Sequence, residues 1–253
     1  MFLPYKDENP AELPPIATVA IILLNVLAWL VVQGAGASAP LARSVCELGL
    51  IPAELLGSAP PGASVPLGPG LRCVLTAEPH PWTVVTSMFM HGGWLHLIGN
   101  MWFFWVFGNN IEDSMGHARF VLFYLLCGVA AAAAQILANP SSLVPMVGAS
   151  GAISGVLGAY ILFYPRVRVH TLVFLGFFVT TVTWPAYVIL GYWFLLQLLL
   201  GTVEVLSRVQ AGGTAFWAHV GGFLTGLVLA RLFGNPEHLE RRRSGAFILP
   251  RDA

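Results

Sequence analysis

The chain has 253 residues, of which 57% are hydrophobic and only 9% charged, and its formal net charge is +0. Mean hydropathy is +0.75. A soluble domain carries about a quarter charged residues, so this composition excludes one and marks a polytopic membrane protein whose neutral balance offers no handle for nucleic acid.

Apolar windows of about 17–25 residues mark membrane spans. They fall at 16–36, 94–112, 118–138, 148–164, 184–206 and 215–234. The first, Ile16 to Gly36, follows Asp7, Glu8 and Glu12. It lacks a basic leader and a cleavage site, so it reads as a retained span and not as a signal peptide. The segment 37–93, rich in Pro and Gly, comes next. A structureless loop of that length is uncommon and usually functional. It holds Cys46 and Cys73, while Cys127 lies in span three. The first two could pair in an oxidising compartment. Spacing alone does not establish pairing, and two independent thiols are the simpler expectation. Residues 170–183 are apolar but run into Trp184-Pro185; a loop lying in the interface or re-entering the bilayer is expected there.

The fold class expected is all-α: a polytopic bundle of six transmembrane helices. It divides into an N-terminal segment 1–15, a core 16–235 with the long external loop 37–93, and a basic tail 236–253. Six spans place both termini on one side, and the Lys/Arg bias makes that side cytoplasmic. Lys6, Arg119, Arg166, Arg168, Arg231, Arg241, Arg242, Arg243 and Arg251 then lie inside, with Arg43, Arg72 and Arg208 outside. The Arg241-Arg242-Arg243 run reads as a topology anchor that touches anionic lipid. A short chain without a transit peptide suits a bacterial inner (plasma) membrane.

Spans two, four and six all run from outside to inside, so their first turns share a face. His96 and Asn100 begin span two, Ser150 begins span four and His219 begins span six. At about 1.5 Å rise per residue, each lies roughly 5–10 Å below the outer boundary. Polar groups inside a membrane are functional suspects. Gly151, Gly155 and Gly158 make a smooth face on span four, and Gly222 and Gly226 make one on span six next to His219. Small faces let membrane helices approach closely. They also serve packing alone, but Ser150 and His219 at one depth favour a joint role. A serine hydroxyl becomes a nucleophile when a neighbouring base takes its proton, and histidine is the usual base. No Asp or Glu is expected in this layer except Glu204 at the outer end of span five, so a Ser–His dyad is the economical reading. His96 and Asn100, i and i+4 on one face, together with the Ser150 amide, supply donors for an oxyanion. Gly148, Gly151 and Gly222 are supporting positions; His91, just before span two, either supports the site or simply sits in the headgroup layer.

The motifs of a metalloprotease and of an aspartyl protease are missing: there is no His-Glu-x-x-His and no set of buried aspartates. No metal and no cofactor are expected. Mid-span charges and inverted repeats, the marks of a transporter, are absent from the sequence as well. The partners expected are transmembrane protein substrates and the lipid bilayer.

Three blocks carry a family likeness: Thr86 to Asn100 (TSMFMHGGWLHLIGN), Gly148-Ala149-Ser150-Gly151, and Ala218-His219-Val220-Gly221-Gly222 with Gly226. They resemble the rhomboid family of intramembrane serine proteases, and the likeness runs over about residues 15–235. The resemblance implies a six-helix core, a Ser150–His219 dyad and an oxyanion hole from His96, Asn100 and the Ser150 amide. It also implies a first loop partly embedded in the membrane, and single-span substrates cut near the outer face. An inactive binding relative would usually lack the serine or the histidine, and both are present. Two positions depart from the family pattern. Trp82-Thr83 stands where members often carry Trp-Arg, and Ser154 stands where many carry an aromatic ring that stacks on the histidine.

Overall fold

The computed structural model describes residues 2–68, 71–76, 78–176, 178–207 and 214–243. Arg208, Arg251 and the tail beyond residue 243, all placed above by the charge bias, lie outside them. The first apolar window forms α1 (Ile16–Leu27), continued by a π turn at Ala28–Val32. The second and third are α5 (Trp94–Met115) and α6 (His117–Ala138). The fourth, fifth and sixth are α7 (Ser150–Phe163), α8 (Ala186–Ser207) and α9 (Phe216–Phe233). A short α10 (Pro236–Arg243) follows. The helices α6, α8 and α9 are long and apolar enough to cross a membrane; α1 with its π turn and α7 are apolar but shorter.

The chain is mostly helical, but five strands among the described residues correct the expectation of an all-α protein. Residues 170–183, expected as an irregular loop, belong to a hairpin of β4 (Arg168–Leu175) and β5 (Phe178–Pro185). Val, Thr and Phe dominate these strands, and such residues fit a pleated surface better than a helix. The N-terminal segment adds β1 (Phe2–Asp7) against β4, giving an antiparallel sheet in the order β1-β4-β5. Side chains tie that sheet to the bundle: the Asn110 amide donates to Asp7 Oδ2 at 2.8 Å, and Trp102 Nε1–H donates to the Pro4 carbonyl at 2.7 Å.

The segment 37–93 is also ordered, contrary to a structureless loop. It contains α2 (Ser38–Leu48), α3 (Pro52–Leu55), the paired strands β2 (Ser64–Gly68) and β3 (Leu71–Val74), α4 (Thr83–Thr86) and a 3-10 turn at Ser87–Phe89. Ile51, Ala53, Ala59, Cys73 and Leu75 form a small core of its own. Cys46 and Cys73 are joined in a disulfide with Cα atoms 5.4 Å apart, so the expectation of independent thiols is overturned. What brings them together is the pairing of β2 with β3 beneath α2, a tertiary arrangement that spacing does not encode. The Glu54 carboxylate closes the same unit, accepting from Thr76 N–H and Oγ1–H at 2.7 Å each.

Polar residues also organise the bundle. At the far end of α5, the buried Glu112 carboxylate accepts from the Ala17 and Thr18 amides at 2.7 and 2.8 Å and from Thr18 Oγ1 at 2.7 Å. Asp113 accepts from the Glu12 and Leu13 amides. The first amides of α1 have no partner within their own helix, and a carboxylate there also complements the helix dipole. Around this end Phe104, Phe107, Phe120, Phe123, Tyr124 and Tyr160 are fully buried. The opposite end is packed differently, by backbone against backbone. A Cβ on Gly222 would fall against the Gly151 carbonyl oxygen, one on Gly226 against that of Gly155, and one on Gly158 against that of Phe223, all well under 3.0 Å. Thus the glycine faces of spans four and six meet, and α7 and α9 lie in direct backbone contact.

Candidate active site

The contact between α7 and α9 brings Ser150 and His219 together. Ser150 is the first residue of α7 and His219 lies in the first turn of α9. Their side chains are joined by a hydrogen bond of 2.7 Å between Ser150 Oγ and His219 Nε2. Gln135 on α6 steadies the histidine's turn by accepting from the Ala218 amide at 3.1 Å. A hydroxyl facing an imidazole nitrogen at this distance has the geometry of a nucleophile and its base.

A cavity of about 860 Å³ opens over this pair, and its walls include His96, Gly99, Asn100, Gly148, Ser150 and His219. His96 and Asn100 lie one turn apart on α5 and both reach it. His96 Nδ1 accepts from the Gly92 amide at 3.3 Å, which leaves its Nε2 to carry the proton. A Cβ added to Gly148 would stand 2.8 Å from that Nε2 and 3.5 Å from Ser150 Oγ, so His96 and the serine face the same space. Gly148 has φ +129, a conformation that side chains resist, and its amide is tied to the Ser87 carbonyl at 2.9 Å. Asn100 is buried, with its Nδ2 paired to no group among the described residues. The Ser150 amide opens its helix and so has no intrahelical acceptor. His96, Asn100 and Ser150, all lining the cavity, thus carry three candidate donors.

His91 is placed behind the cavity, not in its wall. It is fully buried, and its ring meets that of His96 edge-on with centroids 5.2 Å apart. The Gln33 side chain clamps its backbone, accepting from the His91 amide and donating to its carbonyl, both at 2.8 Å. Burial, with the neighbouring His96 adding to it, pushes His91 down to about 3. At neutral pH it is an uncharged buttress for His96. Gly151 and Gly222 serve by having no side chain, as the α7–α9 contact requires.

The family model of the Rhomboid domain matches residues 78–236. This chain belongs to the rhomboid family. Its rhomboid domain and apolar helices make it an integral membrane protein. It is 30% identical to the rhomboid protease GluP of Bacillus subtilis over 173 residues, 68% of this chain and 29% of that protein. It is 35% identical to the putative rhomboid protease YdcA of the same organism over 80 residues, 32% and 40% of the two chains. Rhomboid-like protein 11, chloroplastic, of Arabidopsis thaliana is 30% identical over 160 residues, 58% and 51% of the two chains. The chain thus spans between 29% and 51% of the length of these relatives.

Both departures from the rhomboid pattern have a structural counterpart. Ser154 Oγ–H donates to the Ser150 carbonyl at 2.6 Å, which occupies its hydroxyl. The aromatic neighbour of His219 comes instead from α8, where the Trp193 ring lies 5.8 Å from the imidazole between centroids. Thr83 donates to the His80 carbonyl. The first loop is tied to the first span by the Gln33–His91 pair, and within the loop Thr86 Oγ1 donates to the Leu48 carbonyl at 2.8 Å.

Sequence reasoning missed one residue at the site. His219 Nδ1 is 2.8 Å from Oε1 of Gln197, one turn beyond Trp193 on α8. Glu204, the carboxylate singled out above, lies two turns farther along α8. The signal available was a lone amide in the middle of an apolar span, where a polar side chain is costly unless it is partnered.

Proposed function

We propose that the protein is an intramembrane serine endopeptidase that cleaves single-span membrane proteins near the outer membrane face. Ser150 attacks the scissile carbonyl carbon while His219 Nε2 takes the hydroxyl proton, forming a tetrahedral intermediate. His96 Nε2–H, Asn100 Nδ2–H and the Ser150 amide donate to its oxyanion. Collapse breaks the C–N bond as the His219 imidazolium returns the proton to the leaving amine. Water, activated by the same histidine, then hydrolyses the acyl-enzyme and releases Ser150.

The observation that carries this reading is the 2.7 Å Ser150–His219 hydrogen bond at a cavity lined also by Asn100, whose Nδ2 has no partner among the described residues. The named proteases among its relatives support the activity. Six helices at the expected spans, α1 and α5 to α9, support a six-span bundle with the cavity at the outer end. The disulfide in the first loop fits an oxidising exterior, and the Lys/Arg asymmetry supports cytoplasmic termini. The relatives from Bacillus subtilis favour a bacterial plasma membrane as its setting.

The test is cleavage of a single-span reporter co-reconstituted with purified protein in liposomes. Wild-type protein releases the reporter's ectodomain, and Ser150→Ala abolishes release while keeping the wild-type thermal unfolding profile. Equal release by Ser150→Ala removes the proposal.

A further inference from the structure

In the serine-protease triad, a carboxylate on the far side of the imidazole holds its proton on Nδ1 and stabilises the imidazolium. Among the described residues no carboxylate is bonded to His219. The position is filled by an amide: Gln197 Oε1 stands 2.8 Å from Nδ1. For Nε2 to accept the serine proton, Nδ1 must carry the ring's hydrogen, and an acceptor opposite Nδ1 enforces that tautomer. We propose that Gln197 is the positioning residue of the site, completing a Ser150–His219–Gln197 relay in which a neutral side-chain carbonyl takes the place of the carboxylate. This inference rests on the protease reading.

The surroundings hold Gln197 in register. It is one of the few buried residues on α8. One turn on, the Gly201 carbonyl accepts from Trp217 Nε1–H at 3.1 Å. One turn back, the Trp193 ring flanks the imidazole, and Phe194 stacks on Phe223 of α9 with centroids 4.5 Å apart. These contacts pin the middle of α8 to the start of α9 on both sides of the amide.

The choice of an amide has a physical rationale. A carboxylate facing a neutral imidazole within a bilayer would itself have to be desolvated, at substantial cost. A carbonyl dipole needs far less solvation at rest. When His219 becomes protonated during the attack on the peptide, the same Nδ1–H···O contact turns charge-assisted and strengthens. Stabilisation therefore grows with the charge that develops in the transition state, which is the condition for a contact to raise kcat rather than only tighten binding.

The experiment compares wild type, Gln197→Met and Gln197→Glu for reporter cleavage in liposomes, fluorophosphonate labelling rate and thermal unfolding. Gln197→Met keeps the length and loses the acceptor. It is expected to lower kcat and the labelling rate together by roughly 10- to 100-fold, the range spanned by one hydrogen bond to a charged group, with KM near wild type. Gln197→Glu restores an acceptor oxygen and is expected to recover most of the labelling rate. Wild-type kcat in Gln197→Met overturns the inference. So does an equal loss in both variants accompanied by a lower unfolding temperature, which marks Gln197 as packing alone. Absence of Ser150-dependent cleavage in the wild type itself overturns the protease reading, and this inference with it.

Discussion

Gly222→Ala probes the contact on which the whole site depends. A Cβ at Gly222 would fall well under 3.0 Å from the Gly151 carbonyl oxygen, whereas ordinary contacts of this kind lie at 3.4–4 Å. The obstacle is backbone, not a side chain that can swing away, so α7 and α9 must separate by about 1 Å or more, and overpacking of this kind costs about 1–3 kcal/mol. Ser150 sits on one of these helices and His219 on the other, joined at 2.7 Å. The same displacement stretches their bond beyond the ~3.2 Å reach of efficient proton transfer. A misplacement of about 1 Å costs on the order of 100-fold in rate. Fluorophosphonate labelling kinetics and thermal unfolding, both in detergent, report the two effects separately. Gly191→Ala is the control, because a Cβ there meets nothing within 4 Å and alanine gains up to about 1 kcal/mol of helix propensity. A folded Gly222→Ala protein labelled at the wild-type rate would refute the argument that backbone contact aligns the pair.

Other outcomes follow from single interactions. Asn100→Ala should lower kcat by about 100-fold or more while KM changes little; a defect confined to KM removes its oxyanion role. Cys46→Ser opens a cross-link that spans 27 residues, and the chain-entropy estimate for such a loop is about 3–4 kcal/mol, read as a fall in the temperature at which the first loop becomes protease-sensitive. Glu112→Ala strands the Ala17 and Thr18 amides in the bundle interior, at about 1–3 kcal/mol for each buried donor left unmade, measured as a lower unfolding temperature with the active-site labelling rate per folded molecule unchanged. His91 is held at about 3 in the folded protein against 6.5 in the unfolded chain. Its neutral form is the folded form, so its contribution to stability is complete above 6.5 and is lost as pH falls from there toward 3. Unfolding temperatures between pH 7 and 4 should therefore fall less steeply for His91→Phe than for wild type.

Apolar helices and glycine faces were legible because both are one-dimensional signals: an apolar window, and small residues at helical spacing. Three of the windows, α6, α8 and α9, form helices long enough to cross a membrane. That Ser150, His219, His96 and Asn100 line one cavity was legible for a related reason, since polar side chains at the start of apolar helices stand out. Pairings between distant segments were not readable in this way. β1 joins β4 across more than 150 residues, and the β4–β5 stretch is as apolar as a span fragment. Cys46 meets Cys73 only once β2 and β3 have paired. Gln197 stayed hidden because the third member of a serine-protease triad is by pattern a carboxylate, whereas here an amide faces Nδ1.

Mapping the fluorophosphonate adduct by mass spectrometry tests the account most directly. Intact wild-type protein should carry one adduct, on the peptide containing Ser150, and His219→Ala protein should carry none. An adduct on any other residue, or labelling of Ser150 that persists without His219, would contradict it.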